Sequence, residues 1–298
     1  MPKGITALLI SVAFVAIAVS IGLNAADRRH IETFETKENC DTLLTTALWD
    51  TVAGEVRLAN VEISLLSSYT SGADVQAVAL AGDYAFLAAS DAGLIVVDIS
   101  DPEACALAGS RDTPGSANGV AVEGNYAFVA DGEAGLQIID ISAPSAPTIS
   151  GTYDTQGSAY AVAVHGDYAL VADGSSGLLI LNISNPAAPT YVSDEATSGE
   201  AYGVAVEGDV ACVADGAGGL MVIDITNPSS PKTAGTYDSP GSASDVELSG
   251  DNAYLADGSG GLLMIDIRDM EHPALIGSFT TPFPALGLCV AGLSLIHI

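Results

Sequence analysis

Short apolar runs alternate with turn-forming residues along most of the chain, and the alternation keeps a fixed period. Between residues 119 and 154 four such runs stand at 119–123, 126–130, 136–142 and 148–154, rich in Val, Ile, Ala and Tyr. Each is bounded by Gly, Asn, Asp or Pro, so the pattern predicts four short strands joined by tight turns. Gly124-Asn125 suits a two-residue hairpin, because both residues can take positive φ. The stretch 131–135 makes a longer hairpin with two glycines, and Pro144 and Pro147 place the next connection in a loop, since proline offers no N–H to a sheet.

The same pattern returns every 42 residues. The hairpin turn recurs at Gly82, Gly124, Gly166, Gly208 and Gly250, and Gly-Leu at Gly93, Gly135, Gly177, Gly219 and Gly261. An acid or amide recurs at Asp98, Asp140, Asn182, Asp224 and Asp266, and proline at Pro102, Pro144, Pro186 and Pro228, with Met270 breaking the series. Landmarks held in register over five units identify a repeat architecture. A β-solenoid coil needs about 20–25 residues, and no half-period is visible. Four antiparallel strands in each unit match a propeller blade. The third run is apolar at nearly every position, as expected of a strand covered on both faces. Frequent Ala in the first run (Ala121, Ala161, Ala163, Ala205) fits a crowded axis.

The third runs, Leu94-Ile95-Val96-Val97-Asp98, Leu136-Gln137-Ile138-Ile139-Asp140 and Leu220-Met221-Val222-Ile223-Asp224, resemble the LVIVD repeat with its following Asn/Asp-Pro turn. The resemblance covers 61 to about 292. It implies a propeller found mostly on cell-surface or secreted proteins of bacteria and archaea, and it implies no reaction. The expected fold is therefore all-β, a β-propeller of four-stranded blades with five complete units and part of a sixth, preceded by an apolar α-helix. Residues 285–292 repeat 243–250, so a sixth unit begins, but the apolar ending 293–298 departs from the pattern. The reading favoured is a chain cut within its sixth blade. In the other, N-terminal strands complete that blade and close a six-bladed ring, removing the sheet edges.

Residues 5–23 carry no charge, close to the roughly 20 residues that cross a bilayer as a helix. A membrane anchor is the first reading. A cleaved secretory signal is the second, with small residues near Asn24-Ala25-Ala26. In a third, Lys3-Gly4-Ile5 is similar to the class III signal of archaeal pilin-like proteins. Residues 1–26 thus form the signal or anchor segment, 27–60 a linker with a possible hairpin containing Trp49, and 61–298 the repeats.

Composition narrows the partners. With 8 Lys and Arg against 37 Asp and Glu the formal charge is −29, which repels phosphate backbones and excludes nucleic acid as the expected partner. Charged residues are only 15% of the chain while 49% is apolar, so this is a folded domain and not an acidic tail. Cys40, Cys105, Cys212 and Cys289 show no zinc-type or redox-type spacing. His30, His165, His272 and His297 occupy unrelated positions, and Arg111, His165, Glu195 and Glu200 break the repeat without forming a recognisable constellation.

One regular array of functional groups exists, the Asp of Ala-Asp-Gly at Asp131, Asp173, Asp215 and Asp257. Four carboxylates on one rim are candidate Ca²⁺ ligands, since hard cations take oxygen donors. The competing reading is that Asp-Gly makes the hairpin turn. Asp98 and its equivalents are read as bonding the backbone of the following turn. Asn182-Ile183-Ser184 is a glycosylation sequon at that same strand end, and is read as blocked. These features point to an extracytoplasmic module binding a surface protein or glycan, tethered through residues 5–23. A propeller hydrolase or lyase and a pilin-like filament subunit are the alternatives.

Overall fold

A computed structural model of the chain describes residues 67–290 in full and, as strand backbone, 9–12, 15–18, 29–34, 45–50, 55–58, 291 and 294–297. The helix expected over 5–23 falls largely outside the described residues. Its two described pieces, Leu9–Val12 and Val15–Ala18, are paired antiparallel strands. Ile10, Val12, Val15 and Ile17 are β-branched and suit extended backbone. Among the described residues no helix is long and apolar enough to cross a membrane. Thr45–Asp50 lies between Arg29–Phe34 and Glu55–Leu58 in a three-stranded sheet. Cys40 and residues 61–66 lie outside the described residues.

The described repeats are five four-stranded antiparallel sheets in sequence order. In the second unit the strands are Gly119–Glu123, Tyr126–Ala130, Leu136–Asp140 and Thr148–Tyr153. The first strands of the other units are Ala77–Ala81, Ala161–His165, Gly203–Glu207 and Asp245–Ser249. Leu288–Ala291 and Ser294–His297 pair as the beginning of a sixth, and the latter lies beside Arg29–Phe34. First strands of consecutive units sit side by side from Ala77–Ala81 through to Leu288–Ala291.

Glu123 faces Tyr126 across the first hairpin, which leaves Gly124-Asn125 as the two-residue turn. Only the glycine has positive φ, at 57°. The sequence allows positive φ at both positions. The observed pattern, glycine first and an ordinary residue second, is that of the II′ turn, whose twist also matches the strands. The fourth strand carries a bulge in all five units; in the second, Ile138 faces Gly151 and Ile139 faces Ile149, which leaves Ser150 unopposed. A bulge sharpens local twist.

The third strand explains how units stack. Along Leu178–Asn182 the first four residues are buried. Leu179 and Leu181 pack against Phe128, Leu136 and Ile138 of the unit before. Leu178 and Ile180 pack against Val204, Val213 and Ile223 of the unit after. Side chains alternate across a strand, so one apolar run supplies both interfaces. Each fully buried Leu or Ile contributes about 1.5–3 kcal/mol relative to exposure, and most of that gain lies between neighbouring units, as in other stacked repeats.

The fourth strand closes the same interface at its outer end. A Cβ on Gly109 would stand 2.4 Å from Pro144 O, and one on Gly151 2.2 Å from Pro186 O. Glycine lets the strand touch the proline turn of the next unit. Ser193 holds this position in the third unit, and its hydroxyl donates to Pro228 O at 2.6 Å.

Candidate functional site

At one end of the sheets, each turn between second and third strands lies against two connectors, the segments that lead from a fourth strand into the next first strand. The Asp of Ala-Asp-Gly makes the upstream link. Asp131 accepts the Thr113 hydroxyl at 2.6 Å and the Gly115 N–H at 2.9 Å. Asp173 accepts the Gly157 N–H at 2.8 Å. Asp215 accepts the N–H groups of Ser198 and Gly199 and the Ser198 hydroxyl. Asp257 accepts the Ser239 hydroxyl and the Gly241 N–H. All four residues are at most 1% exposed. Burial pushes the carboxyls of Asp131, Asp173 and Asp257 above the usual range, against the lowering effect of these hydrogen bonds.

The next residue makes the downstream link. Gly132, Gly174, Gly216 and Gly258 form β-bridges to Ala159, Ala201, Ala243 and Ala285 of the following connectors, and Ser90 does so to Ala117. Connector, turn, connector and turn are thereby joined in one continuous rim. The four aspartates that the sequence offered for Ca²⁺ sit one per unit and point into this rim. Among the described residues no three His, Cys, Asp or Glu side chains come together to hold a metal ion. The carboxylate oxygens of these residues are turned to backbone and hydroxyl donors of the upstream connectors, the turn-forming role that the sequence set beside the calcium reading. The first unit has Ala89 and Ser90 at the Asp and Gly positions, and Ser90 takes the positive φ, at 44°.

The second acidic series lies at the other end of the sheets. Asp98, Asp140, Asn182, Asp224 and Asp266 each accept the backbone N–H two residues on. Hydrogen bonds from Ser100, Ser142 and Thr226 hold Asp98, Asp140 and Asp224 below the usual carboxylate range. The Asn182 oxygen is occupied by the Ser184 N–H and hydroxyl. His165 is exposed beside a turn, and Glu195 accepts the Thr233 hydroxyl across a unit boundary.

The rim loses its symmetry between the second and fourth units. A pocket of about 470 Å³ opens there, lined by Glu133, Thr155, Gln156, Ser158, Tyr160 and Glu200, among others. The position of Tyr160 is Gln76, Asn118 and Ser244 elsewhere, and Tyr202 shares the aromatic exception. The two rings meet edge to face, 5.0 Å apart at 67°. Tyr202 donates its hydroxyl to Glu200 Oε2 at 2.6 Å. That bond, with burial and the Glu200 charge, pushes the phenol up to about 12, so Tyr202 stays a donor and fixes one oxygen of Glu200. Glu200 stands where Ser116, Ser158 and Ser242 stand in other units. Thr155, 7% exposed, lies close enough to Asp173 to favour its ionised form but out of hydrogen-bond geometry, so Thr155 Oγ1 and Asp173 Oδ1 lack partners. Of the residues lining the pocket the sequence singled out only Glu200. The tyrosines were readable as departures from the repeat at a position otherwise small or amide-bearing.

A second departure was also missed. The first and third positions of the first strand are Ala or Gly in four units but Asp245 and Glu247 in the fifth. Residues two apart on a strand share a face. Asp245 accepts the Leu288 N–H of the following unit at 2.9 Å and the N–H of Val246. Burial, only partly offset by these bonds, raises Asp245 to about 6, and burial with the Asp245 charge raises Glu247 to about 7. Both stay partly open to water while surrounded by protein, as expected where first strands crowd together. Cys289 lies within the field of both carboxyls.

Solved structures carry this architecture at low identity. The computationally designed Ika8 protein is 12% identical, with a TM-score of 0.58 over 89% of this chain and 79% of that one. A protein from Lactobacillus plantarum is 17% identical, with a TM-score of 0.63 over 85% and 82%. A protein from Desulfotomaculum acetoxidans is 15% identical, with a TM-score of 0.62 over 81% and 80%. At such identities the likeness is one of fold alone. No curated protein matches the sequence. The LVIVD repeat model matches residues 72–113, 114–155, 156–197, 198–239 and 240–281, in step with the five sheets and spanning well over half the sequence. The chain belongs to the LVIVD-repeat family.

Proposed function

We propose that the chain is a non-catalytic, extracytoplasmic β-propeller that binds a surface protein through its connector rim, held at the membrane through residues 5–23. In this reading the five sheets and the sixth pair form one ring, and Arg29–Phe34 beside Ser294–His297 supplies further strands to the sixth blade. The observation that carries the binding role is the break in repeat symmetry on the rim, where Tyr160 and Glu200 replace small or amide residues at one pocket and Tyr202 backs them. Repetition maintains a scaffold. Residues that depart from it, on a rigid face and partly exposed, are where a partner is recognised. A protein partner with basic groups is favoured over a glycan by the formal charge of −29 and by carboxylates at the pocket mouth.

The test is binding of the fluorescently labelled full chain to intact cells of its own organism, before and after surface treatment. Binding lost after protease and kept after periodate supports the proposal. Binding lost after periodate alone replaces the protein partner with a glycan. Absence of saturable binding overturns the role.

A further inference from the structure

The pocket between the second and fourth units offers acceptors and an aromatic ring, and no cation. Glu133 and Glu200 stand exposed at its edge, and Glu200 keeps one oxygen free of Tyr202. Gln156 and Ser158 line the wall, and the buried Thr155 lines it beside the Asp173 carboxylate. The half-buried Tyr160 ring is held by Tyr202 and by the close approach of Gly174, where a Cβ would stand 3.2 Å from Tyr160 Cε2. Aromatic rings attract cations over their faces. The volume falls within the usual range for small-ligand sites.

We propose that this pocket is a site for a primary alkylammonium group, occupied by a lysine side chain of the partner. The proposal rests on the reading of the rim as a docking face. An ammonium has three donors and no acceptor, which matches a wall of carboxylate, hydroxyl and amide oxygens. Its methylene stem lies along the Tyr160 ring. A guanidinium is planar and wider, and the formal charge of −29 attracts a cation where it does not attract a neutral sugar.

The experiment is isothermal titration of the detergent-solubilised full chain with Nα-acetyl-lysine methylamide, a lysine-rich peptide, spermidine, the norleucine analogue and a neutral oligosaccharide, at low and moderate salt. The lysine analogue and the peptide should bind at one site per chain, and the norleucine analogue at least tenfold more weakly. The double variant Glu133→Gln/Glu200→Gln should weaken the lysine analogue at least tenfold. Tyr160→Ala should do so while Tyr160→Phe retains binding. Asp101→Asn/Glu103→Gln, acids in an exposed turn of the first unit, should leave it unchanged, which separates the pocket from general charge. Tighter binding of spermidine than of the peptide would replace the partner lysine with a free polyamine. Equal binding of lysine and norleucine analogues, or a Glu133/Glu200 variant with unaltered affinity and melting temperature, would overturn the site. If no probe binds while protease-sensitive cell binding persists, the pocket assignment alone falls. If cell binding is absent as well, the docking role falls with it.

Discussion

Gly132 and Ala159 exchange two backbone hydrogen bonds, at 3.1 and 3.0 Å, across the boundary between the second and third units. Its neighbour Asp131 reaches the other way, to Thr113 and Gly115. One dipeptide therefore joins a turn to the connectors on both sides, and the arrangement is repeated down the array. This explains why Asp-Gly persists where no ligand is needed to account for it: the carboxylate satisfies connector donors that would otherwise be buried and unpaired.

Asp131→Ala should therefore destabilise the chain by about 2–3 kcal/mol, the range for hydrogen bonds to a charged acceptor with their donors left behind. Asp131→Asn, which keeps one acceptor oxygen, should cost less. Urea denaturation followed by far-ultraviolet circular dichroism measures both. A loss for alanine no greater than for asparagine would remove the carboxylate from the account of the rim.

Glycines with positive φ separate into two kinds. At Gly124 an added Cβ meets nothing within 4 Å, whereas at Gly135 it would stand 2.3 Å from Tyr153 O. Both substitutions to alanine force a left-handed residue, about 1–2 kcal/mol. Gly135→Ala adds overpacking of about 1–3 kcal/mol. Melting temperatures should rank wild type, Gly124→Ala, Gly135→Ala in descending order.

The Asp245 and Glu247 carboxyls give the fold a pH dependence of definite sign. Their folded values, about 6 and about 7, exceed the ordinary 3.8 and 4.5, so the fold prefers them protonated. Their contribution is fully present below about pH 4 and is lost as pH rises through 6 to 7. Asp98, Asp140, Asp224 and Asp266, held below the ordinary value by hydrogen bonds, act oppositely and only in stronger acid. The melting temperature should fall between pH 5 and pH 8. Asp245→Asn/Glu247→Gln should flatten that fall and raise the melting temperature at pH 8. An unchanged slope in the double variant would assign the dependence to the other raised groups, Asp131, Asp173 and Asp257.

At the opposite end of the sheets, Asp140→Asn should lower the melting temperature only slightly, because Asn182 makes the same bond, without the charge, in the third unit. Asp140→Ala should lower it, since the Ser142 N–H loses its acceptor.

The strands, their order and their starting positions were legible in the second unit because strand periodicity and turn chemistry agree, while the third run was read two residues too long and the fourth one residue too long. Leu94, Leu136, Leu178, Leu220 and Leu262 open five third strands at the predicted positions. The role of Asp131 was only half legible. Sequence placed it in a turn, but its partners lie sixteen and eighteen residues upstream in a connector with no periodic signal. The pocket was hidden for a different reason. Landmarks shared by all units define the repeat, while Tyr160, Tyr202, Asp245 and Glu247 carry information by departing from it. Whether two departures fall together depends on the lateral stacking of units, and that appears only in three dimensions.

Recognition of a partner by the asymmetric rim is open to direct measurement. Its most direct measurement is saturation binding of the full chain to intact cells of its organism, comparing wild type with Tyr160→Ala/Glu200→Gln. The double variant should lose affinity at least tenfold with an unaltered circular dichroism spectrum. Undiminished binding by a folded double variant would contradict it and move recognition to another face of the repeats.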